Sequence, residues 1–286
     1  MSLLAASLQG QRTSFHVTIN SRQTFIEVDG NGPYMIMTHG LGTSSNVFQP
    51  LVDIHSARFT IIRFDWPGHG QSDKLTKNQQ PLSVPEFLAD LEGVMDYFSI
   101  DSAVLLGHSL GGIISMHFAA QYPERVKGLV VIGAGRAKVP GSSAHSNTLA
   151  QGDMARKMGM LEVATQRIPV NFTKESSLLA RAFLRQVLST TDPEGYAQVC
   201  EALCDKSHID PDYSRICCPT SLIWGAYDEI SPMGIGMEIK SLIAESGNLP
   251  ELCVLGTGHM PIIDDVFGVT EAVDRLLSRV GAKSHL

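Results

Sequence analysis

The sequence predicts an α/β protein built on a mostly parallel sheet with helices on both faces, into which a wholly helical segment is inserted. Three observations carry this expectation. Short β-rich apolar runs alternate with helical patterns through the first half of the chain, the alternation stops between Arg136 and Ser214, and it resumes from Thr220 onward. Parallel neighbours need a long crossover, which is what this strand–helix–strand spacing provides. With 286 residues the chain is long enough to bury a full core.

Taken in order, Phe15–Ile19 and Thr24–Val28 are close together and hairpin-like, so they are expected at an antiparallel edge. The runs Tyr34–Thr38, Phe59–Phe64, Ala103–Leu106 and Gly128–Ile132 follow, with helical patterns over Asn46–Ile54, Val84–Phe98 and Leu110–Gln121 between them. Strands Thr220–Trp224 and Glu251–Leu255 and helices Met233–Ala244 and Val266–Val280 complete the series. The expected organisation is therefore a core domain of residues 1–135 and 215–286 and a helical lid of residues 136–214. Within the lid, Leu178–Leu188 predicts an apolar stripe of Leu179, Phe183 and Val187 flanked by Ala180, Leu184 and Leu188, with Arg181 and Arg185 on another face. Met154, Met158 and Met160 suit either a pocket wall for an apolar ligand or packing between lid helices.

Composition excludes several classes. A balance of 22 Lys and Arg against 29 Asp and Glu gives a net charge of −7, which argues against a general nucleic-acid binder and against a polybasic membrane-surface protein. No apolar run approaches the roughly 18 residues of a spanning helix, and Met1–Gly10 lacks the basic and apolar regions of a secretory signal. The expectation is a cytoplasmic protein, with peroxisomal import the equal alternative because Ser284-His285-Leu286 resembles the peroxisomal tripeptide. The five cysteines are odd in number and contain no C-x-x-C pair. Cys200, Cys204 and His208 would share one face of a continuous helix, but buried thiols are the favoured reading over a metal site. No metal and no nucleic-acid or membrane partner is expected, and no feature marks an oligomer face.

The chemistry is concentrated in Gly107-His108-Ser109-Leu110-Gly111-Gly112, which follows a strand and opens a helix. This is G-x-S-x-G in strand–turn–helix context, and its glycines are needed because side chains there would clash with neighbouring backbone. Ser109 is the candidate nucleophile, exposed at the C-terminal edge of the sheet above a helix N-terminus. A serine needs a base, and the base an orienting acid, in the chain order Ser, acid, His for an elbow of this kind. His259 is the candidate base, carried by the flexible turn Gly256-Thr257-Gly258, whereas His285 sits next to the C-terminal end. Asp228, just past the strand ending Ile223-Trp224-Gly225, is the candidate acid; Glu229 points away from it, and Asp264 and Asp265 follow the histidine. The loop His39-Gly40-Leu41-Gly42 and the helix start at Leu110 offer backbone amides toward the same place. His39, His69 and His108 are expected to brace loops.

Together with the turn Asp65-Trp66-Pro67-Gly68-His69-Gly70-Gln71-Ser72 and the closing Gly258-His259-Met260-Pro261, these motifs resemble the α/β-hydrolase superfamily over nearly the whole chain. The resemblance implies an eight-stranded sheet, a helical lid after the sixth strand, no cofactor, and oxyanion donation by the amides of Leu41 and Leu110. Serine at the elbow separates this chain from members that use Asp there, and Met260-Pro261 after the base is closer to the 3-oxoadipate enol-lactonases and small-ester hydrolases than to the carbon–carbon bond hydrolases, which carry Trp. The implied activity is hydrolysis of a small carboxylic ester or lactone through an acyl-enzyme. The alternatives are a carbon–carbon hydrolase of vinylogous diketones and a hydrolase-fold small-molecule receptor with slow turnover. Arg136, at the root of the lid, is a candidate contact for a substrate carboxylate, with an ordinary surface arginine the favoured reading.

Overall fold

A computed structural model describes residues 12–77, 81–245 and 247–283, so the C-terminal Ser284-His285-Leu286 lies outside the described residues. The strands are β1 (Thr13–Ile19), β2 (Arg22–Asp29), β3 (Tyr34–Thr38), β4 (Thr60–Phe64), β5 (Ala103–His108), β6 (Val126–Ile132), β7 (Thr220–Gly225) and β8 (Glu251–Leu255). They form one sheet in the order β1-β2-β4-β3-β5-β6-β7-β8. The pairs β1–β2 and β2–β4 are antiparallel and all others parallel, which places the antiparallel edge where the hairpin-like spacing put it.

The parallel strands are buried on both faces, hence their unbroken apolar runs. Alternation sorts their side chains into two layers. Ile36, Leu105 and Val131 join the layer covered by the helices α2 (Val84–Tyr97), α3 (Leu110–Gln121) and α8 (Met233–Ala244). Met35, Met37, Leu106 and Val130 join the other, covered by α1 (Gln49–His55) and α9 (Val266–Lys283). No described helix is long and apolar enough to cross a membrane.

Between β6 and β7 the chain is helical: α4 (Ser143–Met158), α5 (Met160–Asn171), α6 (Leu178–Thr190) and α7 (Pro193–Cys204). In α6 the predicted stripe is rotated. Ala180, Leu184 and Leu188 are the buried residues, whereas Leu179 is 78% exposed and Phe183 and Val187 are only partly covered. Both rows are apolar, and the inward one is set by what lies beneath: Leu188 packs over Gly42 of the β3 loop. The helix α7 ends at Cys204, so His208 is off the face that Cys200 occupies. Cys200 is buried with its thiol pushed up by desolvation, and His208 bonds the Leu203 carbonyl. Among the described residues no cluster could hold a metal.

The helical segment is tied to the sheet at several points. Ser176 Oγ and the Ser177 amide donate to the Asp264 carboxylate, and Thr191 Oγ1 donates to Gly42 O. Asp192 caps α7 through the Gly195 amide and also accepts from the Leu75 amide. Gly195 rests directly on Gly68, where an added Cβ would fall 2.4 Å from backbone. The helix α4 differs: its hydrogen bonds and ion pairs, such as Arg156 with Glu194 and Tyr196 with Gln151, stay within the insertion.

Candidate active site

Backbone geometry sets the first component. Ser109 has φ +52° and ψ −114°, a conformation an L side chain adopts only when its surroundings force it. The forcing is visible on both sides, since a Cβ on Gly107 would stand 2.3 Å from Gly111 O and one on Gly111 2.0 Å from Thr38 O. The Ser109 amide donates to Ile132 O at 2.8 Å, fixing the turn to β6.

The second component joins two strand ends. His259 Nδ1–H donates to Asp228 Oδ2 at 2.7 Å, and both residues are buried. Asp228 Oδ1 accepts from the amides of Ile230 and Ser231, each at 2.8 Å. Burial alone would raise this carboxyl, but the His259 charge, the bond to its ring and the two amides outweigh that and hold it below the usual carboxylate range. With Nδ1 committed as donor, Nε2 is the free ring nitrogen. The His259 backbone is held on either side, its amide donating to Asn171 O and its carbonyl accepting from His108 Nε2–H, both at 2.9 Å.

Ser109 and His259 line one cavity of about 100 Å³ together with Leu41 and Leu110. The amide of Gly42 is engaged by His69 Nε2 and that of Gly111 by His39 O. The amides of Leu41 and Leu110 have no acceptor among the described residues, and Leu110 stands at a helix start, where no intrahelical acceptor exists.

Three buried histidines brace this geometry as neutral rings. His39 donates from Nδ1 to Gly40 O, accepts from the Trp66 amide at Nε2, and through its carbonyl holds both the Gly111 amide and the Trp66 indole. His69 donates from Nδ1 to Pro67 O. Burial lowers His39 and His69 to about 4 and His108 to about 3.

The structure gives Arg136 other partners. Its guanidinium is occupied by Asp210 at 2.6 Å and Glu238 at 2.8 Å, partners 74 and 102 residues away in sequence, so it is not available to a substrate carboxylate. The rejected acids also have other occupations: Glu229 is exposed, Asp264 holds Ser176 and Ser177, and Asp265 caps the Gly268 amide. Sequence reasoning missed Asn171, Thr148, Gln151, Tyr196, Lys138 and Arg167, all of which line the cavity. Of these only Lys138, six residues past a strand end, sat where a local signal could have been sought.

A family model described as the alpha/beta hydrolase fold matches residues 33–171. The chain is 26% identical over 251 residues to 3-oxoadipate enol-lactonase 2 of Acinetobacter baylyi, covering 86% of this chain and 89% of that one. It is 28% identical over 264 residues to the pimeloyl-[acyl-carrier protein] methyl ester esterase of Xanthomonas axonopodis pv. citri, covering 89% and 99%. The solved enol-lactonase of Burkholderia xenovorans superposes with a TM-score of 0.83 at 26% identity, over 92% of this chain and all of that one. The chain thus has the α/β-hydrolase fold, with its eight-stranded sheet, and it resembles the enol-lactonases.

Proposed function

We propose that the protein hydrolyses a small carboxylic ester or lactone through a serine acyl-enzyme. Relatives named as esterases and lactonases support ester hydrolysis in general. The observation that carries the finer reading is the confluence of a strained Ser109 and an Asp228-oriented His259 on one small cavity. In this reading Ser109 Oγ attacks the carbonyl carbon while His259 Nε2 takes its proton. The amides of Leu41 and Leu110 donate to the developing oxyanion, each such bond being worth about 3 kcal/mol in the transition state. His259 returns the proton to the leaving oxygen, and water repeats the sequence on the acyl-enzyme. Asp228 keeps Nδ1 protonated and stabilises the imidazolium. The helices of residues 136–214 act as the lid over this site, and the volume of about 100 Å³ suits a small substrate.

The test is steady-state and pre-steady-state hydrolysis of a short aryl ester, an enol lactone and a vinylogous 1,5-diketone by the protein and by Ser109→Ala. Multiple turnover on ester or lactone, falling by about 10⁴-fold or more in the variant, is the expected result. Turnover in Ser109→Ala within tenfold of the parent would overturn the serine mechanism. Preference for the diketone would replace the ester reading, and a burst of one equivalent without turnover would replace the enzyme reading with a receptor.

A further inference from the structure

We propose that Lys138 and Arg167 form a cationic recognition subsite, making the enzyme selective for esters or lactones that carry a second, anionic group, a carboxylate foremost. This rests on the ester-hydrolase reading and names the substrate class of the same site.

The cavity holding Ser109 and His259 adjoins an outer cavity of about 760 Å³, and Lys138 and Arg167 line both. They therefore stand at the neck between entry and chemistry. Among the described residues no Asp or Glu lines the inner cavity, so these two side chains set its charge. Among the described residues neither makes a hydrogen bond or an ion pair through its charged end, whereas Arg136, Arg156, Arg22 and Arg125 are all matched with carboxylates. Unmatched cations are unexpected here, because the chain carries seven more acidic than basic groups and could have supplied partners. Three acids line the outer cavity, of which Asp210 and Glu238 hold Arg136 while Glu229 is exposed and forms no ion pair with either cation.

Desolvation lowers the Lys138 ammonium, and an anion seated beside it would offset that cost. A third donor is available in the Gln151 amide nitrogen, since its oxygen already accepts from Tyr196 OH. An ammonium, a guanidinium and an amide N–H that line the same two cavities, with no carboxylate on the inner one, match a bound carboxylate. The two cations come from separate parts of the insertion, Lys138 from the segment after β6 and Arg167 from α5, so one bound anion links its root to its second helix.

The test compares kcat/KM for 4-nitrophenyl hydrogen glutarate and 4-nitrophenyl pentanoate, which differ in the distal charge. The parent is expected to favour the anionic ester, and Lys138→Gln and Arg167→Gln to lower the anionic-over-neutral ratio by about tenfold or more, the effect of one charge-assisted bond. Lys138→Arg keeps the charge and should keep the ratio, which separates recognition from loss of packing. Calorimetric titration of Ser109→Ala with glutarate should detect binding that Ser109→Ala/Lys138→Gln lacks. An unchanged ratio in both Gln variants, or a parent preference for the neutral ester, overturns the proposal. If Ser109→Ala instead turns over both esters normally, the serine mechanism fails while glutarate binding still judges the subsite.

Discussion

Replacing Asp228 with Asn tests the site most sharply, because the surrounding hydrogen bonds decide which way the new amide faces. Oδ1 of Asp228 accepts from two buried amides and Oδ2 from one ring N–H. An Asn that kept its oxygen on Ile230 and Ser231 would preserve two bonds and turn its NH₂ toward His259. The reverse orientation would set a donor against two donors and forfeit two buried bonds, each costing about 1–3 kcal/mol. The first orientation wins, and it forces Nδ1 of His259 to become an acceptor, moving the ring proton to Nε2. A protonated Nε2 cannot take the Ser109 proton. We expect kcat on a short aryl ester to fall by about 10⁴-fold, equivalent to about 5 kcal/mol of barrier, with the thermal midpoint changed by only a few degrees. A purified, folded Asp228→Asn variant retaining kcat within tenfold of the parent would refute the assigned role of this carboxylate.

Two further outcomes follow from buried charge chemistry. His39, His69 and His108 are neutral in the fold, with pKa values of about 4, 4 and 3, but take up protons near 6.5 when unfolded. Their stability contribution is therefore whole above pH 6.5 and lost as pH falls toward 4, on the order of 2 kcal/mol per ring by pH 5. Urea unfolding at pH 7 and 5 should show this decline, and His69→Gln, which keeps an acceptor for the Gly42 amide, should flatten it; an unchanged pH slope in the variant would contradict the account. Arg136→Ala removes pairs to Asp210 and Glu238 that are only partly shielded, so the loss should be about 1–2 kcal/mol, visible as a melting point lower by a few degrees. Its anionic-over-neutral ratio should stay that of the parent, and a collapse of that ratio would reassign carboxylate recognition to Arg136.

What the sequence disclosed was local and sterically compelled. The glycines around Ser109 are readable because no other residue fits between β5, Thr38 and α3, and β3 and β8 are readable to the residue from their apolar runs. Asp228 and His259 were reachable through chain order at strand ends, and the structure brings them within 2.7 Å. Strand limits moved where pairing extended them, as in β5, which runs on through Gly107 and His108 opposite Val131 and Ile132. The inward face of α6 was not legible, because two adjacent rows are apolar and the choice belongs to the surface beneath. Nor could spacing reveal that Arg136 would find distant carboxylates while Lys138, two residues on, found none among the described residues. Such selections are made by tertiary contact.

The ties between insertion and sheet have a consequence for traffic through the site. With α6 fastened at Asp264 and Gly42, α7 seated on Gly68, and the end of α5 bonded to His259 itself, a swing of the whole helical unit would break the support of that histidine. The segment leading through residues 139–147 into α4, which borders the outer cavity, has no such anchorage to the sheet among the described residues. A route through this segment would leave that frame fixed. Exchange with solvent can be rapid there while the His259 backbone remains in register, which separates the speed of ligand passage from the precision of proton transfer.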